Sequence, residues 1–244
     1  MNRKLAAIAL LAGVVSAVPL SAAPLTGNGV ERLSYGWRLK GGLSWVARLA
    51  FPSSGRGTLE THEANTVHSQ LTIQGKEPSS FYLYESSMLP EGTRTLSSRN
   101  AYSFRDDRRD ERISFDPTNR VAQVQKFTND GNESKVKKLE SAAPQDVLTS
   151  IYYLRQHADE IRTPRKAEIF SGTSGYDVIY VPKPTTTMRV GGSDVRVRPF
   201  TIKPIDDNTK IGEVRVWLTD DARHVPVRID IDQKYATLKL ELDK

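Results

Sequence analysis

The chain has 244 residues, no cysteine, 38% hydrophobic residues and a formal charge of +6. The missing cysteines exclude disulfide scaffolds, thiol nucleophiles, iron–sulfur clusters, thiolate zinc sites and anchoring through a lipidated cysteine. A charged fraction of 26% and a mean hydropathy of −0.48 describe an ordinary globular chain and exclude a polytopic helical membrane protein.

The first residues have the form of a secretory leader. Asn2-Arg3-Lys4 is a positive start, Leu5 to Val18 is apolar except for Gly13 and Ser16, and Leu20-Ser21-Ala22-Ala23 offers small residues for cleavage. Cleavage after Ala22 keeps Pro24 away from the scissile bond. The expectation is a signal peptide over 1–22 and one β-rich domain over 23–244, exported to a periplasm. An uncleaved anchor is the alternative, but the apolar run falls short of the roughly 20 residues a bilayer span needs. Without residues 1–22 the chain holds 33 basic and 29 acidic residues, a charge of +4. That excess is too small and too dispersed for nucleic acid.

Alternation with a period of two dominates the rest, the mark of half-buried strands. Leu33, Tyr35, Trp37 and Leu39 share one face, Lys40-Gly41-Gly42 reads as a tight turn, and Leu43 to Phe51 resumes the pattern. Strands are expected over Thr66 to Gln74, Ser80 to Glu85, Arg112 to Phe115 and Val121 to Phe127, with a turn at Asp116-Pro117-Thr118-Asn119. Tyr176, Val178 and Tyr180 alternate, and Gly191-Gly192 reads as a hairpin turn leading to Val195, Val197 and Pro199. The last third is the most regular. A strand at Ile211 to Leu218 and a turn at Thr219 to Arg223 precede Val225, Val227, Ile229 and Ile231 on one face. Leu238, Leu240 and Leu242 follow after Gln233-Lys234. Pro226 inside a strand implies an edge or a bulge.

One segment breaks the rhythm. Val147, Leu148, Ile151, Tyr152 and Leu154 have helical spacing, with Asp146 at the positive end of the helix dipole and Arg155 and His157 at the other. The fold class expected is mainly β: a strongly curved antiparallel sheet or an open or closed β-barrel, with one amphipathic helix lying on it or plugging it. The polar segments Arg105 to Arg112 and Asn129 to Lys138 read as a solvated connection and a flexible turn.

Catalytic motifs are absent. His62 and His68 lie six apart outside any helical pattern, whereas a zinc protease helix needs histidines at i and i+4. Gly172-Thr173-Ser174-Gly175 has its second glycine directly after the serine, unlike a nucleophile elbow, and reads as a turn. Asp220 and Asp221 beside His224 have the composition of an ordinary turn. No catalytic, metal or cofactor residue is assigned. The aromatic residues Tyr35, Trp37, Trp45 and Trp217, with Tyr152 on the helix, suggest the wall of an apolar ligand cavity. Packing of the same residues as a plain core remains the competing reading.

The segment from Trp217 through Thr219-Asp220-Asp221-Ala222-Arg223-His224 to Ile229 resembles the closing hairpin of a bacterial envelope family, domain of unknown function 3108. Asp146 to Arg155 is similar to that family's helix stretch, and Tyr35 to Leu43 to its opening strand. The family has no assigned activity, so the resemblance transfers no catalytic residue. Its closing hairpin is similar to those of the open barrels of lipoprotein carriers, which implies lipid handling by fold analogy alone. The leading expectation is a non-enzymatic periplasmic protein that binds a lipid or other apolar ligand. An envelope assembly factor that works through a protein partner is the first alternative, and an envelope hydrolase the second.

Overall fold

Side chains that alternate along each strand sort to opposite faces, and this sorting builds almost the whole molecule. The computed structural model describes residues 29–41, 53–75, 79–172, 174–206, 212–232 and 236–243. Among them lie β1 (Val30–Lys40), β2 (Ser54–Glu63), β3 (Val67–Gln74), β4 (Phe81–Met88) and β5 (Thr95–Phe104). Next come β6 (Asp107–Asp116), β7 (Val121–Thr128) and β8 (Gly131–Lys138), then helix α1 (Val147–His157). The second half holds β9 (Arg165–Ser171), β10 (Ser174–Pro182), β11 (Thr186–Val190), β12 (Ser193–Pro204), β13 (Val214–Thr219), β14 (Pro226–Asp232) and β15 (Thr237–Leu242).

All fifteen strands form one sheet. Its path runs from β8 back to β1, crosses to β15, and continues through β14, β13, β12 and β10 to β9, with β11 attached to β12. The first and last strands are therefore neighbours: Tyr35 lies opposite Leu242 and Trp37 opposite Leu240. The expected mainly-β, strongly curved antiparallel sheet with one helix is what the described residues form.

The sheet curls but does not close. Ile169 of β9 enters the central core, whereas Phe170, on the opposite face of the same strand, joins Ile113, Phe115, Ala122, Val124 and Leu139. Phe115 and Phe170 meet edge to face at 5.4 Å. Ile113 and Val124 stand in the cross-strand row of Glu31, Thr61, Ser69, Ser86 and Ser98, which belongs to the inner, helix-facing side. The inner face of β6–β7 thus lies over the back of β9, and the two ends overlap without pairing. Gln145 covers the bare edge of β9, accepting from Phe170 N–H at 2.7 Å and donating to Glu168 O at 3.1 Å.

Several expectations change in detail. Asn129 to Lys138 is not a flexible turn but the β7–β8 hairpin, and only Arg105 and Asp106 connect β5 to β6. Strands β2, β5 and β9 carry little apolar contrast and escape a period-two reading. The Gly191-Gly192 turn has positive φ at both residues, 56° and 90°, as its hairpin requires. Pro226 opens β14 beside a register shift between Trp217 and Leu218, the bulge its missing N–H implies. The expected strand from Leu43 to Phe51 and the Gln233-Lys234 turn lie outside the described residues.

Helix α1 is an internal plug and not a surface layer. Leu148 through Leu154 are buried on every side of the helix, including Thr149 and Ser150. Their hydroxyls are satisfied inside: Thr149 meets Thr95 at 2.8 Å, and Ser150 accepts from the Tyr180 hydroxyl at 3.0 Å. Asp146 caps the helix, accepting from Thr149 N–H at 2.7 Å and from Ser86 Oγ.

Candidate functional site

The interior is packed with the protein's own side chains. Tyr35 is 0% exposed, and its hydroxyl donates to Pro226 O at 2.6 Å. Trp37 is buried across Gly55 and donates from Nε1 to Gln74 O at 2.7 Å. Tyr152 packs with Val67 and Met88 and donates to Glu63 Oε1 at 2.8 Å. Burial pushes the phenols of Tyr35 and Tyr152 far up and that of Tyr84, on β4, to about 12, so all three stay neutral. Trp217 lies on the opposite face from its buried neighbours Val216 and Leu218. Trp217 is half-buried and packs against the central core, and the Arg228 guanidinium stacks on it 4.5 Å from the ring centre. Trp45 lies outside the described residues. The structure thus brings Tyr35, Trp37 and Tyr152 into the packed interior and sets Trp217, half-buried, against its margin.

Both ends of α1 are fixed. Arg155 binds Glu31 through two nitrogens, at 2.6 and 3.1 Å, and donates to the carbonyls of His224 (3.2 Å) and Arg223 (3.3 Å). Arg198 reaches the Ala158 carbonyl at 2.6 Å and Asp220 at 2.6 Å. The helix and the β13–β14 turn, two of the three segments that carry the family resemblance, therefore meet here. At the other end, Gln145 accepts from the Tyr180 hydroxyl and donates to Gly92 O at 2.7 Å.

Open volume lies elsewhere. A cavity of about 750 Å³ is a polar groove across the outer face of β2–β7. One cross-strand row, His62, His68, Ser87, Ser97, Ser114 and Gln123, provides a floor of mostly short side chains. The next row, Glu60, Gln70, Glu85, Arg99, Arg112 and Gln125, forms a wall. Arg99 binds Asp110 twice at 2.9 Å and Glu85 at 3.2 Å; the first contact holds the Asp110 carboxyl below the usual range. Arg112 shares Asp110 at 3.1 Å and lies over the Phe127 ring.

Sequence reasoning missed this groove because it is made by register. His62 and His68, six apart in the chain, are direct partners across β2–β3. His68 Nδ1 meets Ser87 Oγ at 2.8 Å, and its Nε2 meets Thr66 Oγ1 at 3.1 Å where an orienting carboxylate would complete a catalytic triad. Among the described residues no cluster of three or more His, Asp or Glu could hold a metal ion, and no helix is long and apolar enough to cross a membrane. A second cavity, about 440 Å³, lies between the β1–β15 pair and the tip of the β11–β12 hairpin, with Trp37, Met188, Val190, Val227 and Leu242 in its lining.

A crystal structure described as a beta-barrel-like protein of domain of unknown function DUF1849 from Brucella abortus is similar in fold. Its TM-score is 0.56 at 13% identity, with 87% of this chain and 95% of that chain covered. A domain described as an outer membrane lipoprotein-sorting protein from Vibrio parahaemolyticus aligns over 90% of this chain and 85% of its own at 12% identity. Its TM-score of 0.20 is too low to carry an argument. No curated protein matches the sequence. The helix and the closing hairpin fall inside the stretch that matches a family profile, whereas Tyr35 to Gly42 precedes it. Residues 43–243 match the family described as protein of unknown function (DUF3108), and the chain belongs to that family.

Proposed function

We propose that this is an exported, non-enzymatic protein of the bacterial periplasm that works by docking another envelope macromolecule on the outer face of its sheet. The leader-like N-terminus, Asn2-Arg3-Lys4 followed by an apolar run, supports export. The observation that carries the docking reading is the distribution of space. The inside of the roll is occupied by α1 and buried core, while the 750 Å³ cavity on the outer face is an open polar groove. Its floor and wall offer hydroxyls, amides, imidazoles and paired charges, a surface for a polar chain and a poor one for a hydrocarbon.

A second reading, retention of an apolar chain, is favoured by the 440 Å³ cavity, where Trp37, Met188, Val190, Val227 and Leu242 stand beside a charged mouth of Arg38, Arg189, Glu241 and Asp243. One experiment separates the two. The protein is purified from its native periplasm after photocrosslinking from Ser97, and its lipids are extracted for mass spectrometry. Docking predicts discrete crosslinked products that disappear when Ser114→Trp fills the groove, with no stoichiometric lipid. A co-purifying acyl chain without groove crosslinks would overturn it in favour of the carrier.

A further inference from the structure

We infer that the free edge of β8 takes an extended acidic segment of an envelope protein, which adds to the sheet as one more strand. This rests on the docking reading above and names the partner's chemistry. Among the described residues β8 ends the sheet path with no strand beyond it, whereas β9, at the other end, is covered by Gln145. The bond from Leu139 N–H to Arg120 O, 2.8 Å, fixes the phase of the β7–β8 ladder, in which alternate residues turn their backbone groups toward the neighbour. Odd-numbered residues of β8 face β7. Asn132, Ser134, Val136 and Lys138 therefore turn their N–H and C=O groups to the open edge, a template for strand addition.

Two further observations choose the occupant. Val136 is 68% exposed, the most exposed of the large hydrophobic side chains described. It stands opposite Gln123 in the row that floors the groove, so an added strand would continue that row. Residues 131–138 also carry Lys135, Lys137 and Lys138 against the single acid Glu133, which Lys135 already binds. A second copy of β8 would bring the same excess of lysine over acid, so it offers no net opposite charge. An acidic strand meets opposite charge and the unpaired backbone together. An anionic lipid surface would use the charge alone.

The test uses the mature protein and short labelled peptides that alternate Thr with Glu or Thr with Lys around a central Val, read by fluorescence anisotropy. The Glu peptide is expected to bind and the Lys peptide not. Val136→Pro deletes one edge N–H while leaving the ladder to β7 intact, and should weaken the Glu peptide about tenfold, the equivalent of one hydrogen bond. Methylating the peptide's own edge-facing amides should do the same without altering the protein. Lys135→Glu with Lys137→Glu should reverse the charge preference. Equal binding of both peptides, indifference to proline and methylation together, or binding to anionic vesicles but to neither peptide overturns the inference. If peptide binding fails while groove crosslinks persist, only the edge proposal falls; loss of the crosslinks removes the docking reading itself.

Discussion

Arg155 leaves the last turn of α1 and places its guanidinium between the Glu31 carboxylate and two carbonyls of the β13–β14 turn. The side chains of Arg155 and Glu31 are only 11% and 7% exposed, so each is an ion that has given up most of its water. Removing one partner strands the other, and Arg155→Ala should cost about 3–5 kcal/mol in chemical denaturation. Replacing both, by Arg155→Met with Glu31→Leu, should recover most of that loss. Equal damage from the single and the double variant would show that the pair has no special role. Asp146 behaves differently because burial raises its carboxyl from the ordinary 3.8, while bonds from Ser86 and Thr149 pull the other way. The folded state then holds its proton more tightly than the unfolded chain, so this group's contribution to stability falls as pH rises from 3.8 through the raised folded value. Asp146→Asn keeps a capping oxygen and does not titrate. The melting temperature of the native protein should therefore gain on the variant as pH is lowered from 7 to 4. A difference independent of pH, or one that shrinks on acidification, would contradict this.

Elements with one apolar face were readable from the chain, and elements without one were not. Strand β15 sets Leu238, Leu240 and Leu242 against Lys239 and Glu241, and its period is unmistakable. Strand β6 has Arg108, Asp110 and Arg112 on the groove side and Arg109 and Glu111 on the other, where they pair with each other at 2.9 Å. A run of charges hides a strand when both faces neutralise themselves. Trp217 alternates with Val214, Val216 and Leu218, and its half-buried ring packs against the core from beside them. The groove, by contrast, depends on which strands become neighbours, which no local period encodes. The overlap of the sheet ends belongs to the same class. Phe170 bears on β6–β7 from the back of β9, so Phe170→Ala should cost about 3–5 kcal/mol and also open the seam. Hydrogen exchange should then rise in β6, β7 and β9 and stay low in β13–β15. Uniform loss of protection would mean that the seam and the rest of the sheet unfold together.

At the scale of the molecule, the ladder between β1 and β15 joins the two halves of the sheet path, and it is made by residues from opposite ends of the chain. Contacts of such long separation require the entropy of a large loop to be lost before they contribute, which slows folding. Elsewhere the path is almost wholly local, strand beside sequential strand, apart from β10 passing over β11 to reach β12. The described ends also lie close together. The Asp243 N–H donates to Ser34 O at 2.8 Å, a few residues from the start of β1 at Val30. A flexible linker of about eight residues could span that gap at roughly 3.3 Å per residue. A circular permutant with this linker, opened at the exposed Asn129-Asp130 turn, turns the β1–β15 ladder into a local hairpin. It leaves every strand intact, and breaks the chain between β7 and β8, where β8 rests on the rim. The permutant should fold faster than the natural order in stopped-flow refolding, with a melting temperature lowered by no more than the loosening of β8 requires. Unchanged folding rates would place the rate-limiting step elsewhere, in seating α1 inside the roll. A variant with a tryptophan reporter in α1, followed alongside backbone circular dichroism, would then show the helix signal lagging behind the sheet.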